Sequence, residues 1–270
     1  NENGYKEITL LGQNVDSYLW YGGGPKKDFI KASEDQKKNS TRFSDLLSIV
    51  ASNFPEIRIR FSTSNPQDMT LDVIETMAYF DNICNYIHLP IQSGSDRILK
   101  KMNRLHSRRE YLDLIKNIRK IIPNCGISHD MMTGFPSESE RDHQDTLSLM
   151  EEVKYDFGYM FAYSERPGTY AARHFEDDIS PEIKQRRLEE IITLQQRHSL
   201  ERNKRFLNKE CSVLIDKSSK KSNEFWSGRT SENNVVVFPK YDFSLGDLVN
   251  VKVKDCTTAT LIGDINKVNV

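Results

Sequence analysis

The sequence predicts an α/β domain with parallel strands, followed by a small domain built from β-strands alone. Over the first two-thirds of the chain, short apolar runs rich in β-forming residues alternate with segments of helical spacing. This alternation is typical of parallel strands joined by right-handed crossover helices. After about residue 210, short β-rich runs follow one another with turn residues between them, which is typical of a small barrel.

Five strands and five helices are predicted in the first domain. The strands are 5–12, 57–63, 86–90, 126–132 and 157–164, and the helices are 43–54, 68–80, 95–102, 109–122 and 139–153. Five strands are too few to close an eight-stranded barrel. The first domain is therefore a partial barrel or a doubly wound sheet.

Two connecting segments differ in character. Residues 21–41 have no hydrophobic period and are rich in Gly, Lys and Ser, which predicts a mobile loop. A long helix is expected after Ser180, with Pro181 suited to its first turn, and it should run to about Glu210. The predicted domains are therefore 1–209, including a connecting helix at 181–209, and 210–270.

Composition sets limits on function. With 37% hydrophobic and 29% charged residues, the chain suits a soluble protein, and no apolar run approaches the ~20 residues of a membrane span. The four cysteines show no paired spacing, which favours a reducing, cytoplasmic location. From Pro181 onward, 16 Lys and Arg stand against 12 Asp and Glu, a modest excess that is compatible with nucleic acid.

Polar residues cluster in the loops that follow the predicted strands, namely 12–18, 62–66, 91–97, 133–139 and 163–169. Ligands of parallel α/β folds bind beyond the carboxyl ends of the strands, so these amides, hydroxyls and glycines predict a site for a polar small molecule. Two of these loops also carry helix-capping signatures, Ser93 with Asp96 and Ser137 with Glu140.

Common catalytic motifs are missing from the sequence. It contains no GxGxxG after a strand, no GxxxxGK[ST], no HExxH and no Gly-x-Ser-x-Gly. The histidines show no convincing metal spacing. An enzyme of this composition would leave the difficult chemistry to a cofactor.

At the strand-end loops the chain resembles the MiaB-type tRNA methylthiotransferases of the radical S-adenosylmethionine (SAM) superfamily. The segments that carry the resemblance are LLGQNVDSY, HLPIQSGSDRILKKMNR, PNCGISHDMMTGFPSESERDHQDTLSLMEEV, YSERPGTYAAR and KQRRLEEIITLQQ. Residues 209–270, with SGRTSENNVVVF and LGDLVNVKVKD, resemble the family's TRAM domain, a small RNA-binding barrel.

The resemblance implies a partial (β/α)6 radical-SAM barrel that lacks its first strand here. In the family, a Cys-x-x-x-Cys-x-x-Cys loop after that strand binds a [4Fe–4S] cluster, and a preceding domain supplies three cysteines for a second cluster. This chain has no such triplet. We therefore expect it to be the C-terminal portion of a longer protein, with no metal ligands of its own and the ligands of both clusters upstream.

The resemblance also implies a reaction and its partners. The family uses two SAM molecules to place a methylthio group on C2 of N6-isopentenyladenosine beside the anticodon. The implied partners are a tRNA anticodon stem-loop and an electron donor such as flavodoxin or ferredoxin. We expect no membrane contact and a monomeric protein.

Asp130 is the candidate catalytic residue, because a carboxylate at the carboxyl end of a barrel strand is expected to face a ligand. Its alternative role is that of a buried carboxylate satisfied by backbone amides. By position in the family motifs, the SAM-site candidates are Gln13, Asn14, Ser62, Ser64, Gln92, Ser93 and Arg104. Arg104 suits the methionine carboxylate, or alternatively the C-terminal dipole of a helix.

The RNA-binding candidates are Arg166, Lys217, Lys220, Lys221 and Arg229. Arg166 alternatively stabilises its own turn. Phe225 and Trp226 offer stacking surfaces, but side chains alternate along a strand, so one of the two is expected in the barrel core.

Three other functions compete with this interpretation. They are methylthiolation of threonylcarbamoyl-adenosine in tRNA, methylthiolation of an aspartate in a ribosomal protein, and RNA binding without catalysis. The LLGQNVDSY and RRLEEIITLQQ segments favour the isopentenyl-type enzyme, and Asp130 favours a tRNA substrate.

We predict that the 270-residue chain, purified alone and treated with iron and sulfide, acquires no stable [4Fe–4S] cluster. Its four cysteines lack the local run of ligands that such clusters use. Iron analysis and visible absorption check this. A stable brown species with about four irons per chain would contradict it.

Overall fold

Strands and helices alternate along the first part of the chain in the computed structural model, which describes residues 4–62, 64–220 and 222–265. The strands here are β1 (Glu7–Leu10), β2 (Leu19–Trp20), β3 (Thr41–Arg42), β4 (Arg58–Phe61), β5 (Tyr86–His88), β6 (Gly126–Thr133) and β7 (Phe157–Ala162). The helices are α1 (Glu34–Lys38), α2 (Phe43–Asn53), α3 (Leu71–Tyr79), α4 (Asp96–Lys101), α5 (Arg108–Ile121), α6 (Glu140–Val153), α7 (Tyr170–His174) and α8 (Pro181–Lys204).

The main strands are all parallel. β1 pairs with β4, and β5, β6 and β7 pair in that order. A parallel bridge between Ile59 and Ile83 joins the two groups, so the strands form one layer in chain order. The five predicted strands are confirmed, and so is a barrel that does not close.

One face of this layer packs against the helices. Alternate strand residues such as Ile59, Ile87 and Ile127 are fully buried in one core with Leu47 of α2 and Leu149 of α6. Because strand side chains alternate, the residues between them turn to the inner face of the partial barrel. That inner face carries the polar groups described below.

The C-terminal part is a closed five-stranded barrel, as the sequence predicts. Its strands are β8 (Glu210–Ser218), β9 (Phe225–Arg229), β10 (Val235–Pro239), β11 (Leu248–Cys256) and β12 (Leu261–Ile265), in the order β10-β12-β11-β8-β9. Its core contains the fully buried side chains of Val213, Val236, Phe238, Val251 and Leu261.

Three local predictions need correction. Segment 21–41 is not an irregular loop, because β2 pairs with β3 and a capping box at Ser33 and Gln36 starts α1. The N-caps of α4 and α6 are Ser95 and Ser139, each two residues after the predicted Ser93 and Ser137. The long helix ends at Lys204, because the residues that follow form turns into β8.

Two arginines of β4 fasten the C-terminal barrel to the partial barrel. Arg60 is 7% exposed, and its guanidinium forms a 2.9 Å ion pair with Glu7. Arg58 and Arg60 donate to four backbone carbonyls of the C-terminal barrel, those of Ser212, Arg229, Thr230 and Ser231, at 2.7–3.1 Å. Since β4 starts at Arg58, this contact lies at the N-terminal end of the parallel strands.

A buried carboxylate links the loops that follow β1 and β4. Asp16 is 6% exposed, and its two oxygens accept from the Asn65 amide at 3.2 and 3.1 Å. Burial raises the pKa of Asp16 to about 7, and nearby Asp68 adds to the rise, while the Asn65 amide and Lys26 oppose it.

We predict that Asp16→Asn stabilises the chain much more at pH 8 than at pH 5. The folded-state pKa lies above the ordinary value of 3.8, so the native state binds more protons and loses stability as the pH rises through roughly 4 to 7. The ionised group costs up to about 4 kcal/mol at pH 8. Urea unfolding at both pH values checks this, with exposed Asp113→Asn as the control. An equal effect at both pH values would contradict it.

We also predict that Gly126→Ala destabilises the junction of the two barrels. A Cβ at Gly126 would lie 2.3 Å from the backbone oxygen of Glu232, which cannot move independently. Overpacking of this kind costs about 1–3 kcal/mol. Gly12→Ala is the control, because its Cβ would have no neighbour closer than 3.4 Å. Unfolding free energies that match for the two variants would rule the steric explanation out.

Candidate functional site

A chain of hydrogen bonds crosses the inner face of the partial barrel. The Ser128 hydroxyl lies 2.6 Å from the Tyr86 hydroxyl and 2.7 Å from Nδ1 of His88. Nε2 of His88 lies 3.5 Å from Oδ1 of Asp130. Burial raises the pKa of Tyr86 to about 12, so its phenol stays protonated at neutral pH.

Asp130 occupies the C-terminal half of β6, with its side chain 28% exposed. Its charge acts on Arg104: burial lowers the pKa of Arg104, and Asp130 opposes that shift. The backbone oxygen of Asp130 accepts from the Gln92 amide at 2.9 Å, which brings the loop after β5 to the same edge of the sheet. The His88 imidazole and the Arg104 guanidinium lie near a partly exposed carboxylate, which suits a group that contacts a ligand. The catalytic role of Asp130 stays a prediction.

A cavity of about 770 Å³ opens beyond the carboxyl ends of β5, β6 and β7. We call it the mouth cavity. Gln92, Arg104 and Arg166 all line it, although Gln92 follows β5, Arg104 follows α4 and Arg166 follows β7. Lys100 and Lys101 add positive charge, and the remaining lining includes Met102, Met132, Phe135, Tyr163, Tyr170 and Phe175. The mouth cavity therefore combines cations with aromatic and thioether surface, which suits a charged ligand that carries a flat or apolar group.

Gln92 has a left-handed backbone, with φ at 74°. Its amide donates to Asp130 and its carbonyl accepts from Met132, both at 2.9 Å, so the loop extends the sheet across the end of β6. A non-glycine residue is uncommon in this region of backbone conformation.

The other SAM-site candidates lie near β1 and β4 rather than in the mouth cavity. Asn14 donates to Asp68 at 2.6 Å, while its Oδ1 is buried without a partner among the described residues. The Ser64 hydroxyl is likewise buried and unpartnered within the described ranges. Gln13 is exposed, and Ser62 lines a different cavity. Two unmade hydrogen bonds at Asn14 and Ser64 fit a hydroxyl-rich or amine-bearing ligand such as SAM.

Ser93 makes structural contacts. It is fully buried, accepts from the Ser95 amide at 3.2 Å and lies 3.4 Å from the Thr146 hydroxyl of α6. Gly94 beside it has no room for a Cβ, which would lie 2.5 Å from the Asp145 oxygen. A role for Ser93 toward SAM stays a prediction.

A second cationic surface lies on the C-terminal barrel. Lys217, Lys220 and Arg229 line a cavity of about 610 Å³ together with Phe225, and we call it the barrel groove. Trp226 packs on the barrel core, under the Lys240 ammonium at 4.3 Å from its ring centroid. The expected alternation of Phe225 and Trp226 is confirmed. Lys221 lies outside the described residues.

Sequence reasoning missed His88, Tyr86 and Ser128. The alternation in "YIHLP" and "GISHDMM" could have placed them on the face that carries Asp130. His129, in contrast, is fully buried, with Nε2 2.9 Å from the Gln195 amide oxygen, and burial lowers its pKa to about 4. Within 4–62, 64–220 and 222–265, no three His, Cys, Asp or Glu side chains are grouped to hold a metal. No helix in these ranges is long and apolar enough to span a membrane.

Curated relatives match nearly the whole chain. A protein of Christiangramia forsetii is 68% identical over 261 residues, and one of Flavobacterium psychrophilum is 61% identical. One of Bacteroides fragilis is 48% identical. Each is named tRNA-2-methylthio-N(6)-dimethylallyladenosine synthase, and each match covers 97% of this chain and 54% of the relative. The chain thus spans about half the length of the curated relatives it matches.

Family models and one solved structure add to these matches. The model of the radical SAM superfamily matches residues 1–150, and the TRAM domain model matches 204–265. Coproporphyrinogen III oxidase of Escherichia coli aligns with a TM-score of 0.48 at 16% identity, over 83% of this chain and 52% of that one. The resemblance to MiaB-type methylthiotransferases is confirmed by the curated relatives. The radical SAM model matches more than half of the residues of the chain. The chain therefore belongs to the radical SAM superfamily, and its C-terminal barrel is a TRAM domain.

Proposed function

We propose that the chain provides the SAM-facing mouth and an RNA-binding barrel of a tRNA methylthiotransferase acting on N6-isopentenyladenosine beside the anticodon. The observation that carries this proposal is the similarity over 97% of the chain to relatives named for that reaction. The names of those relatives favour this substrate over threonylcarbamoyl-adenosine and over a ribosomal protein.

SAM is the proposed ligand of the strand-end loops. When bound, it supplies a methyl group and, after reductive cleavage, a carbon radical that abstracts hydrogen. Arg104 and Gln92 line the mouth cavity, and the guanidinium suits a carboxylate. Asn14 and Ser64 offer buried oxygens with unmade hydrogen bonds. Gln13, Ser62 and Ser93 complete the proposed set from the family motifs.

Asp130 is proposed to accept a hydrogen bond from the ligand or the adenosine at the mouth. Its surroundings support this, because the His88 imidazole and the Arg104 guanidinium act on its carboxyl group while its side chain stays partly exposed. The two [4Fe–4S] clusters of the family are proposed to be held by other parts of the protein, since the curated relatives are about twice as long as this chain.

RNA is proposed to contact both cationic surfaces. Arg166 lies in the mouth cavity, while Lys217, Lys220 and Arg229 lie in the barrel groove. The proposed boundary between the domains lies between residues 209 and 210, and the second domain is proposed to contribute RNA affinity but no chemistry. We further propose that the enzyme is cytoplasmic and monomeric and that it receives electrons from a flavodoxin or ferredoxin.

Mass spectrometry of tRNA nucleosides tests the proposal. A strain without the gene should lack 2-methylthio-N6-isopentenyladenosine and accumulate N6-isopentenyladenosine, and the full-length gene should restore the product. Accumulation of an unmodified threonylcarbamoyl-adenosine instead would assign the other tRNA substrate.

We predict that Asp130→Asn in the full-length enzyme lowers turnover at least tenfold and changes stability little. The substitution removes the charge and one of the two oxygens proposed to accept from the ligand, while the side chain keeps its volume. Single-turnover assays and thermal unfolding check this, with exposed Asp81→Asn as the control. Unchanged turnover with a clear drop in melting temperature would make Asp130 a structural residue.

We also predict that Lys217→Gln with Lys220→Gln weakens binding of an anticodon stem-loop and lowers the salt slope by about two, because each substitution removes one cation that pairs with a phosphate. Titrations at several salt concentrations check this. Lys116→Gln with Lys120→Gln on α5 is the matched control. An unchanged salt slope would remove the barrel groove from the RNA interface.

A further inference from the structure

A third cavity, of about 500 Å³, lies between the inner face of the partial barrel and the turn after β9. We call it the junction cavity. One part of its wall is aromatic, formed by Tyr86, Phe157 and Tyr159, and another part is polar, formed by Arg229, Asn233 and Asn234. Its volume is in the range of ~300–1,000 Å³ that is typical of ligand sites.

The aromatic wall exposes more ring surface than a strand interior usually does. Phe157, Tyr159 and Phe161 alternate on one face of β7, and Tyr159 and Phe161 are 56% and 52% exposed. Tyr86 stacks on Phe157 with centroids 5.7 Å apart, and Phe157 meets Tyr159 edge to face at 6.0 Å. Tyr159 is therefore held by its neighbours while one side of its ring stays open to a flat ligand.

The polar wall carries hydrogen-bonding groups that suit a base edge. Oδ1 of Asn234 is buried and has no partner in the described part of the chain, although its Nδ2 donates to Asn203 at 2.9 Å. Asn233 is fixed by Arg229, which donates to its Oδ1 at 3.0 Å. Carboxamides recognise the donor and acceptor edges of nucleobases.

Positive charge continues from this cavity onto the barrel groove. Arg229 lines both cavities, and Lys217 and Lys220 follow it along the groove. An aromatic surface beside a line of cations is the arrangement that binds single-stranded nucleic acid, because bases stack while phosphates pair with the cations.

We infer that the junction cavity binds one unpaired nucleotide of RNA, with its base on Tyr159 and its phosphate toward Arg229. This inference rests on the proposed tRNA substrate and adds a nucleotide site between the two domains. Tyr159 is the registered partner of Asp130 on the neighbouring strand, so a base on Tyr159 lies beside the candidate catalytic carboxylate.

Titration of the 270-residue chain with an anticodon stem-loop tests the inference. Tyr159→Ala should weaken binding about five- to hundredfold, the range expected for the loss of one base stack, whereas Tyr159→Phe should bind like the wild type. The salt slope should stay the same for Tyr159→Ala, because its ring pairs with no phosphate, and should fall for Arg229→Gln. Tyr79→Ala, an 80% exposed tyrosine on α3, is the matched control.

A fluorescent base gives a second, direct readout. When 2-aminopurine replaces each loop nucleotide in turn, one position should be quenched by the wild-type chain and not by Tyr159→Ala. Wild-type affinity in Tyr159→Ala, an equal loss in Tyr79→Ala, or no Tyr159-dependent position would overturn the inference. If the junction-cavity inference fails in this way but Lys217→Gln with Lys220→Gln still weakens binding, the proposed tRNA function stands. A wild-type chain that binds no stem-loop would contradict both the junction-cavity inference and the proposed tRNA function.

Discussion

Two guanidinium groups at the junction of the barrels determine how the rest of the molecule is arranged. Burying such a charge is costly unless its donors are satisfied. Arg60 offsets part of this cost by donating to two carbonyls of the TRAM barrel and pairing with the Glu7 carboxylate. Because its acceptors are backbone atoms at the end of β9, the contact fixes the turn that carries Asn233 and Asn234 as well as the barrel itself.

This constraint joins two surfaces that would otherwise be independent. The TRAM barrel sits at the N-terminal ends of the parallel strands, and the mouth cavity opens at their C-terminal ends. The inner face of the sheet runs between them, and it carries the hydrogen bonds that join Tyr86, Ser128 and His88, with Asp130 3.5 Å from His88. On the function proposed above, a single RNA would contact cations of both domains.

Local pattern predicted most of the fold but only part of the candidate site. The five parallel strands and the closed barrel follow from residue alternation, and Gln92 and Arg166 share a cavity because strand ends meet at one edge, whereas Arg104 reaches it from the turn after α4. The caps were misplaced because each loop offers two serines two residues apart, and only tertiary contacts choose between them. The pairing of β2 with β3 and the burial of Ser93 against α6 both depend on contacts distant in sequence. The junction cavity requires both domains, so no local pattern indicates it.

One RNA that occupies the TRAM barrel and the mouth cavity together should protect both from hydrogen–deuterium exchange. Exchange of the chain, with and without an anticodon stem-loop, measures this directly, since backbone amides exchange more slowly where binding opposes local opening. We expect protection both in residues 222–235 and in the loop 163–169 that carries Arg166. Protection confined to the TRAM barrel, with unchanged exchange at the mouth cavity, would show that the two surfaces do not share one RNA.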